Sequence, residues 1–227
     1  MKLKTVFLAG LVAAAGAITV SAADVFSVNA VGFVNVTVTN GTFRIITNPL
    51  NQGGNTLAEI LPNAPVGTKI FKFNYIGQNY SAYTMRPGTP NFWGGGGATA
   101  VFNPGEGFFV QAPAGDPLAV ITLTFVGEVA QGAALTINIP TGFSMVAAHV
   151  PQSASLETEL GLAAKNGDKV FFFRNGSYAT ASRRTSTWSG SGALDVNGQP
   201  RPEVGEGFFF LNANTATTWT RNFSANN

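Results

Sequence analysis

The chain is dominated by short segments in which apolar and polar residues alternate. Residues 33–39 (FVNVTVT) and 135–139 (LTINI) follow a period of two, which is typical of a strand with one buried face. Other short runs, such as FRIIT at 43–47 and KIFKF at 69–73, are rich in β-branched and aromatic residues. Clusters of Gly, Pro and Asn separate these runs, as turns require. The pattern predicts an all-β protein.

The same order of features occurs twice along the chain, with an offset of about 100 positions. The string GEGFF occupies residues 105–109 and again 205–209. Upstream, VGTKIFKFN at 66–74 lies over NGDKVFFFR at 166–174. Because chance similarity rarely preserves the order of several motifs, we interpret the chain as a duplication. The predicted domains are residues 24–130 and 131–227.

Each repeat is predicted to form a β-sandwich or a barrel-like domain of about six strands with one short helix. The helical segments are residues 55–61 and 155–162, where Asn55 and Ser155 can cap the first turn. The choice between sandwich and barrel stays open, because the pattern does not specify which strands pair.

Residues 1–23 are predicted to be a secretory signal peptide. Lys2 and Lys4 precede an apolar run over 6–20, and small residues follow at 21–23. The run is shorter than the about 20 residues that a transmembrane helix needs. We place cleavage after Ala23, with Ala22 as the alternative; a retained anchor helix is the other interpretation. The mature protein is expected to be exported without a membrane span, in the periplasm, on the outer surface or outside the cell.

The charge balance argues against a nucleic-acid partner. The chain has 13 Lys and Arg against 11 Asp and Glu, but two of the lysines lie in the predicted signal peptide. The remaining chain is formally neutral, and charged residues make up only 11% of the sequence. Weak charge, together with many short strands whose edges can stay open, favours association with copies of itself or with other surface proteins.

Few polar residues occupy equivalent positions in both repeats. A site used by both copies would keep the same reactive side chains, so the duplication selects three pairs as candidates: Gln52 and Gln152, Lys69 and Lys169, and Glu106 and Glu206. A Lys–Glu couple can transfer a proton. A salt bridge or a backbone hydrogen bond explains the same pairs, and we favour this structural interpretation.

The GEG string is interpreted as a turn that begins a strand. Four glycines would supply the backbone freedom that a turn or bulge needs: Gly105, Gly107, Gly205 and Gly207. Glu106 is expected to point away from the core and to meet Lys69. The two following phenylalanines would place one ring on each face of the sheet. A positive φ at one glycine of each turn is part of this prediction.

No other motif indicates an active site. The chain has no cysteine and a single histidine, His149, which lies in an apolar run without a nucleophile motif around it. GEGFF lacks the third glycine of a phosphate-binding G-x-G-x-x-G, and the acidic residues lack metal-ligand spacing. We therefore predict no catalytic, cofactor-binding or metal-binding residue. A non-enzymatic protein is expected, with a hydrolase as the less favoured alternative.

Aromatic residues in or beside the loop-like segments are the remaining functional candidates. Such rings can stack on sugars when they are exposed, and they pack in the core or in hairpins when they are not. The candidates for ligand stacking are Trp93, Trp188, Tyr80, Tyr83 and Tyr178.

The series ITNPL, TLAEIL, GTKIFKFN, NPGEGFFVQAP and LTFVGE resembles a family of uncharacterised secreted, β-rich tandem-repeat proteins of Gram-negative environmental bacteria. The similarity extends over the predicted mature chain, although the second repeat departs from the pattern where AAHVP replaces TNPL. The resemblance implies a β fold and export, and it carries no known activity. The expected function is that of a non-enzymatic structural, cell-surface or matrix protein that associates with copies of itself; the alternative is a carbohydrate-binding module.

Overall fold

A computed structural model describes residues 30–116 and 119–225 of the chain. The predicted signal peptide lies outside the described residues. The first repeat contains seven strands, a short α-helix and a 3-10 helix: β1 Val31–Thr39, β2 Phe43–Thr47, α1 Leu57–Ile60, β3 Lys69–Asn74, β4 Asn79–Arg86, β5 Phe92–Gly94, the 3-10 helix Gly97–Thr99, β6 Gly107–Gln111 and β7 Val120–Glu128.

The second repeat follows a linker at 129–131 and has the same number of strands in the same order. Its seven strands are β8 Gly132–Ile139, β9 Gly142–Ala147, β10 Lys169–Arg174, β11 Ser177–Arg184, β12 Thr187–Ser191, β13 Gly207–Asn212 and β14 Thr217–Phe223. The all-β prediction is confirmed.

Each repeat consists of a five-stranded and a two-stranded antiparallel sheet. The orders are β2-β6-β3-β4-β5 with β1-β7 in the first repeat, and β9-β13-β10-β11-β12 with β8-β14 in the second. In the first repeat, Val36 and Phe125 of the small sheet share one buried cluster with Ile70 and Phe108 of the large sheet. In the second repeat, Trp219 packs with Phe208 and Phe172 in the corresponding cluster. Each repeat is therefore a sandwich-like pair of sheets, and the described residues form no closed barrel.

Each repeat has seven strands, close to the about six that the pattern predicts. The two predicted helices differ from the structure. The first helix is limited to Leu57–Ile60, and Thr56 is its N-cap residue. The Thr56 backbone N–H donates to the Glu59 carboxylate at 2.8 Å. In the described part of the second repeat, 156–160 form hydrogen-bonded turns instead of a helix.

The large sheets use both of their faces. Along β3, Ile70 points into the core of its own repeat, whereas Phe71 and Phe73 point to the opposite face, as the period of a strand requires. The opposite faces of the two large sheets meet each other. Ile45, Met145 and Phe209 are buried where they meet. No helix among the described residues is long and apolar enough to cross a membrane.

Candidate functional site

The two GEG strings form the same turn. The Glu106 N–H donates to the Asn103 carbonyl at 3.0 Å, and the Glu206 N–H donates to the Glu203 carbonyl at 3.1 Å. Gly105 and Gly205 occupy the third position of these turns with φ of 92° and 76°. A positive φ at this position is easy only for glycine in a type II turn. The expected positive φ is thus found in both repeats.

Each GEG turn also docks on the other repeat. The Gly105 carbonyl accepts a hydrogen bond from the Ala147 N–H at 2.9 Å, and the Gly205 carbonyl accepts one from the Thr47 N–H at 3.1 Å. A Cβ at Gly207 would lie 2.7 Å from the Ile46 carbonyl oxygen and 3.1 Å from the Gly107 Cα. The second glycine of each string therefore permits the closest approach of the two large sheets, a role that the sequence pattern did not indicate.

The motif glutamates bind cations other than the predicted ones. The expectation that Glu106 meets Lys69 is wrong: Glu106 accepts a hydrogen bond from Lys72 at 3.0 Å. Lys69 and Lys169 lie exposed at the starts of β3 and β10, on the face that carries the phenylalanines. Because side chains alternate along a strand, Lys72 reaches the turn and Lys69 does not.

In the second repeat the motif glutamate is buried. Glu206 is 3% exposed, so this side chain does not point away from the packed interior as the pattern predicts for Glu106. Arg174 donates from Nε at 2.7 Å and from Nη2 at 2.6 Å to the two carboxylate oxygens of Glu206. The carboxylate also accepts the Glu203 N–H at 2.8 Å, as Glu106 accepts the Asn103 N–H at 3.1 Å. The hydrogen bonds between Arg174 and Glu206, together with the Glu206 charge, raise the pKa of Arg174. The motif glutamates are thus occupied in holding their turns.

Gln52 and Gln152 also have structural contacts. Gln52 donates to the Val126 carbonyl on β7, and Gln152 accepts a hydrogen bond from Arg221 on β14. Both glutamines therefore attach a loop of the large sheet to the small sheet of the same repeat.

A continuous row of aromatic rings crosses the facing surfaces of the two large sheets. Phe73 contacts Phe209 with ring centroids 5.3 Å apart, and Phe109 contacts Phe173 at 5.5 Å, so the contacts are exchanged between the repeats. We call this row the aromatic strip; its members are Phe43, Phe71, Phe73, Tyr80, Phe109, Phe143, Phe171, Phe173, Tyr178 and Phe209.

The aromatic strip is buried at its centre and open at its margins. Phe43 and Phe143 are 41% and 38% exposed, and Tyr80 and Tyr178 are 45% and 49% exposed. A shallow apolar depression of about 250 Å³ lies over the Phe43 side of the strip. Burial, with the neighbouring Tyr178, raises the pKa of Tyr80 to about 12. Both phenols therefore stay neutral at physiological pH.

The aromatic candidates from the sequence divide into two groups. Trp93 and Trp188 are only 4% and 5% exposed, so the stacking hypothesis is wrong for these two rings. Their indole N–H groups donate to the Leu61 carbonyl at 3.0 Å and to Glu157 at 2.6 Å. Tyr83 packs on the core of the first repeat. Tyr80 and Tyr178 lie in the aromatic strip, with ring area accessible to solvent.

Two related clefts flank the region where the repeats cross. Cleft A, of about 570 Å³, lies between the Asn103–Gly107 turn with the end of β3 and strands β8 and β9. Cleft B, of about 500 Å³, lies between β1 with the start of β2 and the end of β10, where Glu203 and Glu206 complete it. The clefts thus occupy equivalent places in the two halves of the described structure.

His149 is buried beside Trp219, with the ring centroids 5.0 Å apart. Its Nε2 lies 3.1 Å from the Trp219 carbonyl, and its Nδ1 has no hydrogen-bond partner among the described residues. Burial lowers the pKa of His149 to about 4, so the ring is neutral at pH 7. The described residues contain no group of three His, Cys, Asp or Glu placed to hold a metal ion.

Comparisons with protein-family models, with curated proteins and with solved structures found no match to this chain. The resemblance to secreted tandem-repeat proteins therefore stays a prediction. The aromatic strip and the two clefts are the surfaces on which a functional hypothesis can rest. The sequence signal for the strip is the alternation in KIFKF and KVFFF, which places two phenylalanines of each strand on the face opposite Ile70 or Val170.

Proposed function

We propose that the protein is an exported, non-enzymatic component of the cell surface or extracellular matrix that associates with copies of itself through the aromatic strip. The observation that carries this proposal is the exposure of rings at both margins of the strip, since exposed contiguous apolar surface commonly marks an interaction site. The small number of charged side chains in the chain supports it.

The pairing of equivalent residues favours a second copy as the partner. Within the strip, each ring contact of the first repeat has a counterpart in the second: Phe43 contacts Phe71 at 5.9 Å, and Phe143 contacts Phe171 at 5.7 Å. In a two-fold dimer the same surface of both molecules forms the interface. The strip can therefore be covered by the same strip of another molecule.

The test is the mass of the mature protein in solution by analytical ultracentrifugation. We expect dimers or larger assemblies at about 100 µM, a concentration at which micromolar association is complete. The double variant Phe43→Ser/Phe143→Ser should be monomeric. The control is Phe33→Ser, because Phe33 is 69% exposed on the outer face of β1, away from the strip. A monomeric wild type, or dissociation by Phe33→Ser alone, would contradict the proposal.

A carbohydrate-binding module is the second candidate, favoured by the exposed phenol rings of Tyr80 and Tyr178. A tyrosine combines an apolar ring face with a hydroxyl, which suits the faces and edges of a sugar. Loss of polysaccharide binding in Tyr80→Ala/Tyr178→Ala, with the mass in solution unchanged, would favour this function over self-association.

A further inference from the structure

We propose that cleft A is a binding site for a neutral saccharide. The inference does not depend on self-association through the aromatic strip. It rests on an unpaired buried hydroxyl in the cleft and on the differences between cleft A and its counterpart, cleft B.

The hydroxyl belongs to Ser144 on β9. Ser144 lines cleft A and is only 6% exposed, and its Oγ has no hydrogen-bond partner among the described residues. A buried polar group without a partner is costly, so such groups are usually satisfied. When the Ser144 side chain rotates toward the cleft, a ligand hydroxyl can both donate to this oxygen and accept from it.

Cleft B has a different side chain at the equivalent position, and that side chain is paired. The residue equivalent to Ser144 is Arg44, whose Nη2 donates to Glu203 at 2.7 Å and whose Nη1 donates to the Thr37 carbonyl at 3.0 Å. The residue equivalent to Glu203 is Asn103. Cleft A thus has a hydroxyl and an amide where cleft B has an internal ion pair.

The charges of cleft A favour a neutral ligand. Its two charged side chains, Lys72 and Glu106, bind each other at 3.0 Å. No unpaired charge is left in the lining to attract a phosphate or a carboxylate, or to repel a neutral molecule. An ion pair at a cleft wall still offers hydrogen-bond donors and acceptors to a ligand hydroxyl.

The remaining lining combines amides, hydroxyls and a ring. Asn74, Asn138 and Thr136 line the cleft from opposite repeats, and Tyr75, which is 50% exposed, contributes an aromatic face. The position equivalent to Tyr75 in cleft B is Asn175. A ring beside several amides and hydroxyls matches a sugar, which has an apolar C–H face and a rim of hydroxyls. The volume of about 570 Å³ is in the range of small-molecule sites.

The experiment uses the mature protein and soluble neutral trisaccharides of glucose, N-acetylglucosamine, xylose, galactose and mannose, titrated by calorimetry and by NMR. At least one of them should bind with a Kd below about 1 mM. Two substitutions install the residues of cleft B: Ser144→Arg fills the buried position, and Tyr75→Asn removes the exposed ring. Each should weaken binding by at least about tenfold.

Tyr75→Asn is the more secure variant, because an exposed side chain can be replaced without disturbing the fold. The matched control, Asn175→Ala in cleft B, should leave the Kd unchanged. The proposal is overturned if none of the five trisaccharides binds, or if binding survives both substitutions in cleft A. It is also overturned if Tyr80→Ala abolishes binding while Tyr75→Asn does not, because the sugar would then stack on the aromatic strip.

Discussion

The two GEG turns share their backbone but not their side-chain partners. In the first repeat Glu106 binds Lys72, and both side chains are about one-third exposed, at 39% and 34%. In the second repeat the buried Glu206 binds Arg174 through two charge-assisted hydrogen bonds. Each cation also lies over a ring of its own repeat, Lys72 over Phe102 and Arg174 over Phe172.

The comparison shows which features the two GEG turns have in common and which differ. Counted along the aligned strands, Lys72 and Arg174 are two positions apart, and two positions along a strand point to the same face. The turn therefore needs a cation on one face of the sheet, and the strand position that provides it has changed. The glycines, by contrast, are unchanged in both copies because no side chain fits where the repeats cross.

The largest expected effect on stability comes from substitution of Gly107 and Gly207, the glycines at which the two large sheets approach each other. Gly207→Ala would place a Cβ 2.7 Å from a backbone oxygen, whereas the nearest atom to a Cβ at Gly107 is 3.0 Å away. We expect Gly207→Ala to lower the free energy of unfolding by about 3 kcal/mol and Gly107→Ala by about 1–2 kcal/mol. Urea denaturation measures both values.

The control for these substitutions is Gly32→Ala in β1, where no atom lies within 4 Å of the added methyl group. Its effect should stay within about 0.5 kcal/mol. Equal, small effects at all three glycines would show that the repeats do not cross closely at this point.

The second prediction concerns the loss of folding stability in acid. It applies to the second repeat alone, because the first repeat has Pro49 at the position equivalent to His149. The pKa of His149 is lowered by burial to about 4, so the unfolded chain takes up a proton more readily than the folded one. The contribution of neutral His149 to the free energy of unfolding is complete above the ordinary histidine pKa of about 6.5, and it is lost as the pH falls toward 4.

The measurement is urea denaturation of the wild type and of His149→Gln at pH 7 and pH 4. The wild type should lose about 2–3 kcal/mol more than the variant between these two pH values. Parallel losses in both proteins would mean that other groups carry the acid sensitivity.

The third prediction compares the motif glutamates directly. Glu206→Gln should cost about 2 kcal/mol, because it leaves the Arg174 charge half-buried without its carboxylate. Glu106→Gln should cost less than about 1 kcal/mol, since Lys72 can turn its ammonium group into solvent. Thermal or urea unfolding of the two variants tests the order; a larger loss at Glu106 would reverse the comparison.

The smallest effect on stability is expected at Lys69 and Lys169, the lysines that the sequence pattern selected as candidates. Lys69→Ala and Lys169→Ala should each change the free energy of unfolding by less than about 0.5 kcal/mol, since both side chains are exposed and neither binds a motif glutamate. A loss above about 1 kcal/mol in either variant would restore a structural role for the pair.

Much of the local structure could be predicted from the sequence. The alternation in FVNVTVT places Val36 and Val38 in the core, and the glycines of the two GEG strings indicate turns. The short helix of the second repeat was predicted wrongly. Its segment has a helix-like pattern, but the loop contacts there hold 156–160 in turns.

The partners of the candidate residues could be predicted only in part. The parity of KIFKF already separates Lys69 from Lys72, because Lys72 shares the core-facing side with Ile70. The burial of Trp93 and Trp188 could not be read from their loop-like surroundings. It depends on carbonyl and carboxylate groups that lie more than thirty positions upstream in the chain.

The sequence by itself determined the β class and the turn at each GEG string. These features depend on side-chain period and on the φ that glycine allows, both of which act over a few neighbouring residues. Only the tertiary structure decided that the two repeats cross at Gly107 and Gly207, that Ser144 is buried unpaired where Arg44 forms an ion pair, and that ten rings form one strip. These features arise from the way two folded units pack, because packing brings together residues that are about a hundred positions apart.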